Sequence, residues 1–301
     1  MKNSVEGYAR TDAIAAASTA GLERSCKAEG KPDGIVQAPS SCGIERIEAR
    51  FHGNGFSPHR HDTYALGITL SGVQTFHYRG SVRVSLPGNV IVLHPDEVHD
   101  GAAGTDHGLR YRMLYLPPER LIEAAGGVAG LPFVPEPVMA DDAFRDCLAE
   151  ALDDLDATPQ ELLLDDLIAR LTASLWRHAD AHGGSPGTSA GKAVARDAVL
   201  RCRDYLQDNC DRAVSSRELE AVSGLDRYTT ARHFRKLLGT SPHRYLVMRR
   251  LDRAKHLLFE DGSLADAAFG AGFADQAHFT RHFKKAFGMT PGRWVALKRS
   301  A

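Results

Sequence analysis

The sequence predicts a multidomain α+β protein, a small β-sandwich or barrel with dimerisation helices followed by an all-α domain carrying two helix-turn-helix units. Three observations predict it. Short runs rich in branched and aromatic residues, broken by turn residues, fill positions 43–116. Apolar residues then recur at helical spacing over 141–181. Finally, the segment HFRKLLGTSPHRYL at 233–246 returns as HFKKAFGMTPGRWV at 282–295, 49 positions later. Two copies are too few for a solenoid, which needs about three stacked units, and suggest a paired device.

At 301 residues the chain is long enough for about two domains, and 43% hydrophobic with 25% charged residues is a soluble globular composition. The net charge of −1 hides an asymmetry. Residues 194–301 carry 20 Lys and Arg against 12 Asp and Glu, whereas residues 1–193 carry 17 against 26. A basic block behind an acidic one is the charge footprint of a nucleic-acid-binding module joined to another function; a solvated helical surface gives the same count. Cys26, Cys42, Cys147, Cys202 and Cys210 are scattered and odd in number, which argues against a disulfide framework or a cysteine-built zinc site and fits a reducing compartment. No apolar run approaches the roughly eighteen residues of a membrane span, and the Ala-rich stretch 13–21 lacks an adjacent basic leader, so a cytoplasmic location is expected.

Along the chain, residues 1 to about 40 have little periodicity and are expected to be poorly ordered. The runs ALGITL, GVQTFHY, SVRVSL and NVIVL read as strands, punctuated by Ser71-Gly72, Arg79-Gly80 and Pro87-Gly88. After the Pro-rich LPFVPEPV, one helix places Phe144, Leu148, Ala151, Leu152 and Leu155 on a single face, and a second places Leu163, Leu167, Leu171 and Leu175 at i, i+4. These helices complete a domain over 41–182 and are expected to pack on the sheet and mediate dimerisation. Gly and Ser dominate the following stretch, so 183–193 reads as a tether and 194–301 as the all-α domain.

Within that domain, Asp226 is placed to cap RYTTARHFRKLL with Gly239 as its stop, and Asp275 to cap QAHFTRHFKKAF with Gly288 as its stop. Each is preceded by a short helical segment ending in glycine, the helix-turn-helix plan. With Phe234 and Leu238 inside, the first capped helix offers Arg227, Tyr228, Ala231, Arg232 and Arg235; with Phe279, Phe283 and Phe287 inside, the second offers Gln276, Ala277, His278, Thr280, Arg281 and Lys284. Arg can pair with guanine, Gln with adenine, a small methyl can pack on thymine, and Lys or Arg can neutralise phosphate. An intervening helix of about sixteen residues would span roughly 24 Å and hold the two units at a separation near the ~34 Å between successive major grooves.

The doubled motif, with GFADQAHFTRHFKKAFGMTPGRWV as its stronger copy, resembles the DNA-binding domain of the AraC/XylS family of bacterial transcription regulators. Gly272-Phe273, Phe279, the Phe283-Lys284-Lys285 run, Gly288 and Pro291 carry the resemblance over about 100 residues. It implies promoter DNA, a homodimer and RNA polymerase as partners, activation more often than repression, and Tyr228, Ala231, Arg232, Gln276, Ala277, His278 and Arg281 at base-facing positions. The small Ala231 and Ala277 limit hydrogen-bonded readout.

In the N-terminal half, Gly53, His59, His61, Ala65 and Gly72 resemble the first cupin motif with Ala65 in place of its metal-binding Glu, and Gly88, His94, Asp96 and His99 resemble the second with His94 in place of Pro. The N-terminal domain is therefore expected to be a cupin-like β-barrel. On a strand His59 and His61 share a face, where His99 can join them. Three histidines suffice for a divalent metal, but the resemblance implies first a pocket for a small organic effector without metal or other cofactor. Its expected contacts are His59, His61, Tyr64, Tyr78 and His99, with Arg60 and Arg112 as weaker candidates. The leading expectation is an effector-responsive, non-enzymatic regulator; a metal-dependent cupin enzyme with a DNA-binding appendage and a regulator whose cupin only dimerises stand as alternatives.

Overall fold

The computed structural model describes residues 32–41, 43–126, 130–179, 189–259 and 262–299. Most of the predicted poorly ordered N-terminus, most of the predicted tether, and Cys26 and Cys42 lie outside them; Gly34–Gln37, within the predicted irregular start, forms a strand.

Among the described residues, ten strands precede or interleave with the first helices: β1 (Gly34–Gln37), β2 (Glu45–Phe51), β3 (Asn54–His59), β4 (Tyr64–Gly72), β5 (Gln74–Tyr78), β6 (Ser81–Ser85), β7 (Val90–Leu93), β8 (His99–Ala103), β9 (Leu109–Leu116) and β10 (Val138–Met139). The closed barrel expected from the sequence does not form. The strands make two open sheets, one ordered β1-β2-β9-β4-β7-β10 and the other β3-β8-β5-β6. A closed barrel has no edges; here β3 is one, and its ladder with β8 is interrupted by register shifts between Asn54 and Phe56 and again before His59. Its Ser57 amide donates to the Gly288 carbonyl, and just beyond it the Arg60 amide donates to the Lys285 carbonyl, so this edge is satisfied by a helix end instead of another strand.

Alternation along the six-stranded sheet separates two cores. Ala65, Ile91, Leu93, Tyr111 and Met113 face inward, whereas Tyr64, Leu66, Val90, Val92, Leu114 and Leu116 face a helical layer. That layer comprises α1 (Pro118–Ala124), α2 (Asp142–Ala151) and α3 (Glu161–His178). Phe144, Leu148, Ala151, Leu167, Leu171 and Leu175 are buried in it as their spacing predicts, but Leu164 takes the inward place expected of Leu163, which is 44% exposed. Buried Arg46 ties the α2–α3 connection to the sheet by donating to the carbonyls of Ala151, Asp154 and Ala157.

The C-terminal helices are α4 (Ser189–Asp208), α5 (Ser216–Ser223), α6 (Arg227–Leu238), α7 (Pro242–Phe259), α8 (Leu264–Gly270), α9 (Gln276–Phe287) and α10 (Pro291–Arg299). The expected caps are present: Asp226 accepts from the Tyr228 and Thr229 amides, Asp275 accepts from the His278 amide, and Gly239 and Gly288 end α6 and α9 in the left-handed conformation. The first unit has its own core around Cys202, Phe234 and Leu238. The second shares a core with the inner face of the N-terminal six-stranded sheet, with Met248, Leu251, Phe279 and Phe283 in the same cluster as Ile47, Phe51 and Met113. The described residues accordingly form one unit.

Candidate functional site: two exposed helices seated over a cavity

The α5–α6 and α8–α9 pairs each present one face to solvent. On α6, Arg227, Tyr228, Arg232 and Arg235 are exposed and Ala231 is half-buried, while Phe234 and Leu238 fill the core. Arg227 lies over the Tyr228 ring, and Arg232 donates to the Thr229 hydroxyl. On α9, Gln276, Ala277, Arg281 and Lys284 are exposed and His278 and Thr280 are half-buried, above buried Phe279 and Phe283. His278 and His282, one turn apart, meet through their Nε2 atoms at 2.9 Å. Burial and the neighbouring His278, His243, Lys285 and Arg281 pull His282 down to about 4.

Both capped helices end on the N-terminal domain. The Gly288 carbonyl is bound by the Ser57 amide, and a Cβ at Gly288 would sit 2.6 Å from the Ser57 carbonyl oxygen and 2.8 Å from His59 Nδ1. At the matching point of the first copy, a Cβ at Gly239 would sit 2.9 Å from Pro95. Three ion pairs reinforce this seating: Arg249 of α7 with Asp62 at 3.0 Å, Arg244 with Asp96 at 2.5 Å, and buried Lys255 with Glu45. The sequence alone places a helix here without assigning Arg244, Arg249 or Lys255 a partner. Their burial depends on a docked surface almost 200 positions upstream, for which one sequence carries no signal.

Between the inner sheet face and the second unit lies a cavity of about 550 Å³, within the range of roughly 300–1,000 Å³ typical of small-molecule sites. The sensor contributes His59, His61 and Phe56, and the helical domain contributes Met248, Phe287 and Trp294. Of the expected effector contacts, His59 and His61 line this space and His99 stands behind them, with ring centroids 4.3 Å from His59 and 4.9 Å from His61. Tyr64 and Tyr78 do not line it. The Tyr64 hydroxyl donates to the Pro132 carbonyl on the sheet's helical side, and Tyr78 is hydrogen-bonded to His94, whose Nε2 accepts from the Val134 amide. Arg60 is exposed beside Asp96, and Arg112 is bound on the opposite sheet face to Glu48 and the Leu152 carbonyl.

Each of the three clustered imidazoles donates Nδ1–H to a nearby carbonyl: His59 to Ser57, His61 to Thr63 and His99 to Glu97. Burial, and for His59 and His61 the adjacent imidazoles, hold all three below the usual histidine value, His99 at about 4. They are neutral near pH 7, with Nε2 lone pairs as acceptors. Among the described residues, no group of three or more His, Cys, Asp or Glu side chains is arranged to hold a metal ion. Nor is any described helix long and apolar enough to cross a membrane.

Comparison with known proteins agrees with this arrangement. Residues 41–172 match the family model of an AraC-like ligand binding domain, and residues 219–296 match that of a helix-turn-helix domain. The chain is 27% identical to the transcriptional regulator YbfI of Bacillus subtilis (strain 168) over 242 residues, which cover 77% of this chain and 85% of that protein. It is 26% identical over 253 residues to the transcriptional activator RhaS of Yersinia pestis (strain Pestoides F), covering 80% and 89%. In fold it is similar to unsaturated fatty acid-bound ToxT from Vibrio cholerae, with a TM-score of 0.63, 11% identity and coverage of 88% and 98%. The chain therefore has the architecture of an AraC/XylS-family transcriptional regulator, an AraC-type ligand-binding domain followed by a helix-turn-helix domain.

Proposed function

We propose that this DNA-binding regulator is an activator that reads two successive major-groove segments and answers to a small molecule held against the sensor. The carrying observation is that α6 and α9 keep their polar faces exposed while both end on the sensor, at Gly239 and Gly288. In this reading Arg227, Tyr228, Ala231, Arg232 and Arg235 serve the first groove segment, and Gln276, Ala277, His278, Thr280, Arg281 and Lys284 the second. His59 and His61 meet the effector, supported by His99; Tyr64 and Tyr78 act as structural partners of Pro132 and His94. The relative RhaS bears the name of an activator, which favours activation and RNA polymerase as a partner. Residues 41–182 act as sensor with α2 and α3 as the homodimer contact, 183–188 as tether and, because residues 189–193 of the expected tether belong to α4, 189–301 as DNA-binding domain, in the cytoplasm.

An effector can shift the regulatory equilibrium only by its differential affinity for two states. A site walled by both domains provides that difference, because separating them dismantles it. The test is selection of genomic DNA fragments by the full-length protein at physiological salt with excess competitor DNA. Enrichment of sites with two short blocks about one helical turn apart is expected. Sites with one block only, or no enrichment with any member of an effector library present, would overturn the two-groove reading.

A further inference from the structure

We propose that the cavity between the sensor sheet and the second helix-turn-helix unit takes an uncharged, hydroxyl-bearing organic molecule, whose O–H donates to His61 Nε2. This deepens the effector-responsive reading above and rests on it.

Of the His59, His61 and His99 imidazoles, His61 alone has a buried ring nitrogen without a partner among the described residues. His61 is 5% exposed, and its Nδ1 is 2.9 Å from the Thr63 carbonyl oxygen, which can only accept. The proton therefore sits on Nδ1, leaving Nε2 a lone pair. That atom is buried and finds no hydrogen-bond partner among the described residues, although His61 lines the cavity. An unmet buried acceptor is costly, and a ligand O–H or N–H removes that cost. Taking up a proton from solvent does not relieve it, because burial and the adjacent His99 and His59 disfavour a charged ring.

Charge then narrows the class. The charges of the wall already balance, Glu45, Asp62 and Asp252 against Arg249, Arg253 and Lys255; Lys255 pairs with Glu45 and Asp252, and Arg249 with Asp62 and Asp252. A carboxylate or an alkylammonium would enter as an extra, uncompensated charge and lose its hydration. An alcohol or phenol supplies the donor without it. The rest of the wall suits an apolar or ring-shaped body, since Ile35, Ile47, Phe56, Met248, Phe287 and Trp294 all face the same space.

The experiment is isothermal titration of the full-length protein at pH 7.5 with three probes of one skeleton: 2-naphthol, its methyl ether and 2-naphthoate. The expected result is saturable binding of 2-naphthol, with the ether and the carboxylate at least about tenfold weaker. His61→Phe is expected to weaken 2-naphthol about fivefold to tenfold, the loss of one hydrogen bond, and to leave the ether unchanged. Leu257→Trp, which fills the cavity from the helical side at a partly exposed position, is expected to weaken all three. Naphthoate binding as tightly as naphthol, naphthol indifferent to His61→Phe, or no saturable naphthol binding at millimolar concentration would each overturn the proposal. The wild-type probe series decides on its own if a variant fails to fold. No DNA is present in these titrations, so their failure is separate from failure of the genomic selection.

Discussion

Arg249 Nη2 lies 3.0 Å from Asp62 Oδ2 and 3.2 Å from Asp252 Oδ2, so one guanidinium from the DNA-binding half is shared by two carboxylates, one of them on the sensor. Arg249 stays charged between them. Asp62 is 4% exposed; its burial, added to the repulsion of Asp252, outweighs Arg249 and lifts it to about 6. An acid whose value is higher in the folded protein than its ordinary 3.8 binds more protons when folded. Its stabilising contribution is complete below about 3.8 and is lost as pH rises through about 6. Melting temperatures of the wild type and Asp62→Asn, measured from pH 4 to 8, are therefore expected to show a difference that changes across pH 4–6 and is flat above 7. A difference independent of pH would show that Asp62 titrates as an ordinary exposed carboxylate.

Two glycines of similar backbone conformation separate intrinsic strain from docking. Gly224 has φ +72° with nothing near its missing Cβ, whereas Gly288 has φ +67° and is pressed against Ser57 and His59. Alanine at Gly224 is expected to cost about 1 kcal/mol, the left-handed penalty alone. At Gly288 the same change adds a collision with strand backbone and is expected to exceed about 2 kcal/mol. Urea midpoints of the two variants check the ordering.

Lys284→Ala is expected to weaken binding on every DNA sequence and to reduce the salt slope of log K by about one. Arg281→Ala is expected to cost about 1–3 kcal/mol on the selected site and much less on random DNA. Affinities of both variants from 50 to 300 mM salt distinguish a phosphate contact from a base contact.

Arg46→Met keeps the length of the side chain but strands the carbonyls of Ala151, Asp154 and Ala157. A loss of about 3 kcal/mol is expected from removing these charge-assisted bonds. The loss should fall on the α2–α3 layer, so hydrogen exchange in α2 and the concentration dependence of oligomerisation report it.

Local chemistry was legible in the sequence, and long-range closure was not. Asp226, Asp275, Gly239 and Gly288 could be placed because caps and stops depend on a few neighbouring residues. Strands β4 to β7 were readable from branched residues between turns. Barrel closure failed as an expectation because it depends on what pairs with the β3 edge, and the partners of Ser57 and Arg60 are carbonyls more than 200 positions away. Parity explains Tyr64: with Ala65 inward, its neighbour must face the α2–α3 layer. His59 and His61 were legible as a pair through their i, i+2 spacing, but the far wall of their cavity belongs to α7, α9 and α10 and left no trace in the sensor's own sequence.

The seating of Gly239 on Pro95 and of Gly288 on Ser57 gives the internal repeat a mechanical meaning. If the proposed effector shifts one seat relative to the other, the spacing and twist between α6 and α9 would change while each helix kept its own exposed face. Because DNA offers its grooves at a fixed pitch, such a protein behaves like a caliper. Its response to an effector would appear as a changed preference for the distance between half-sites, with the bases read at each one left as they were.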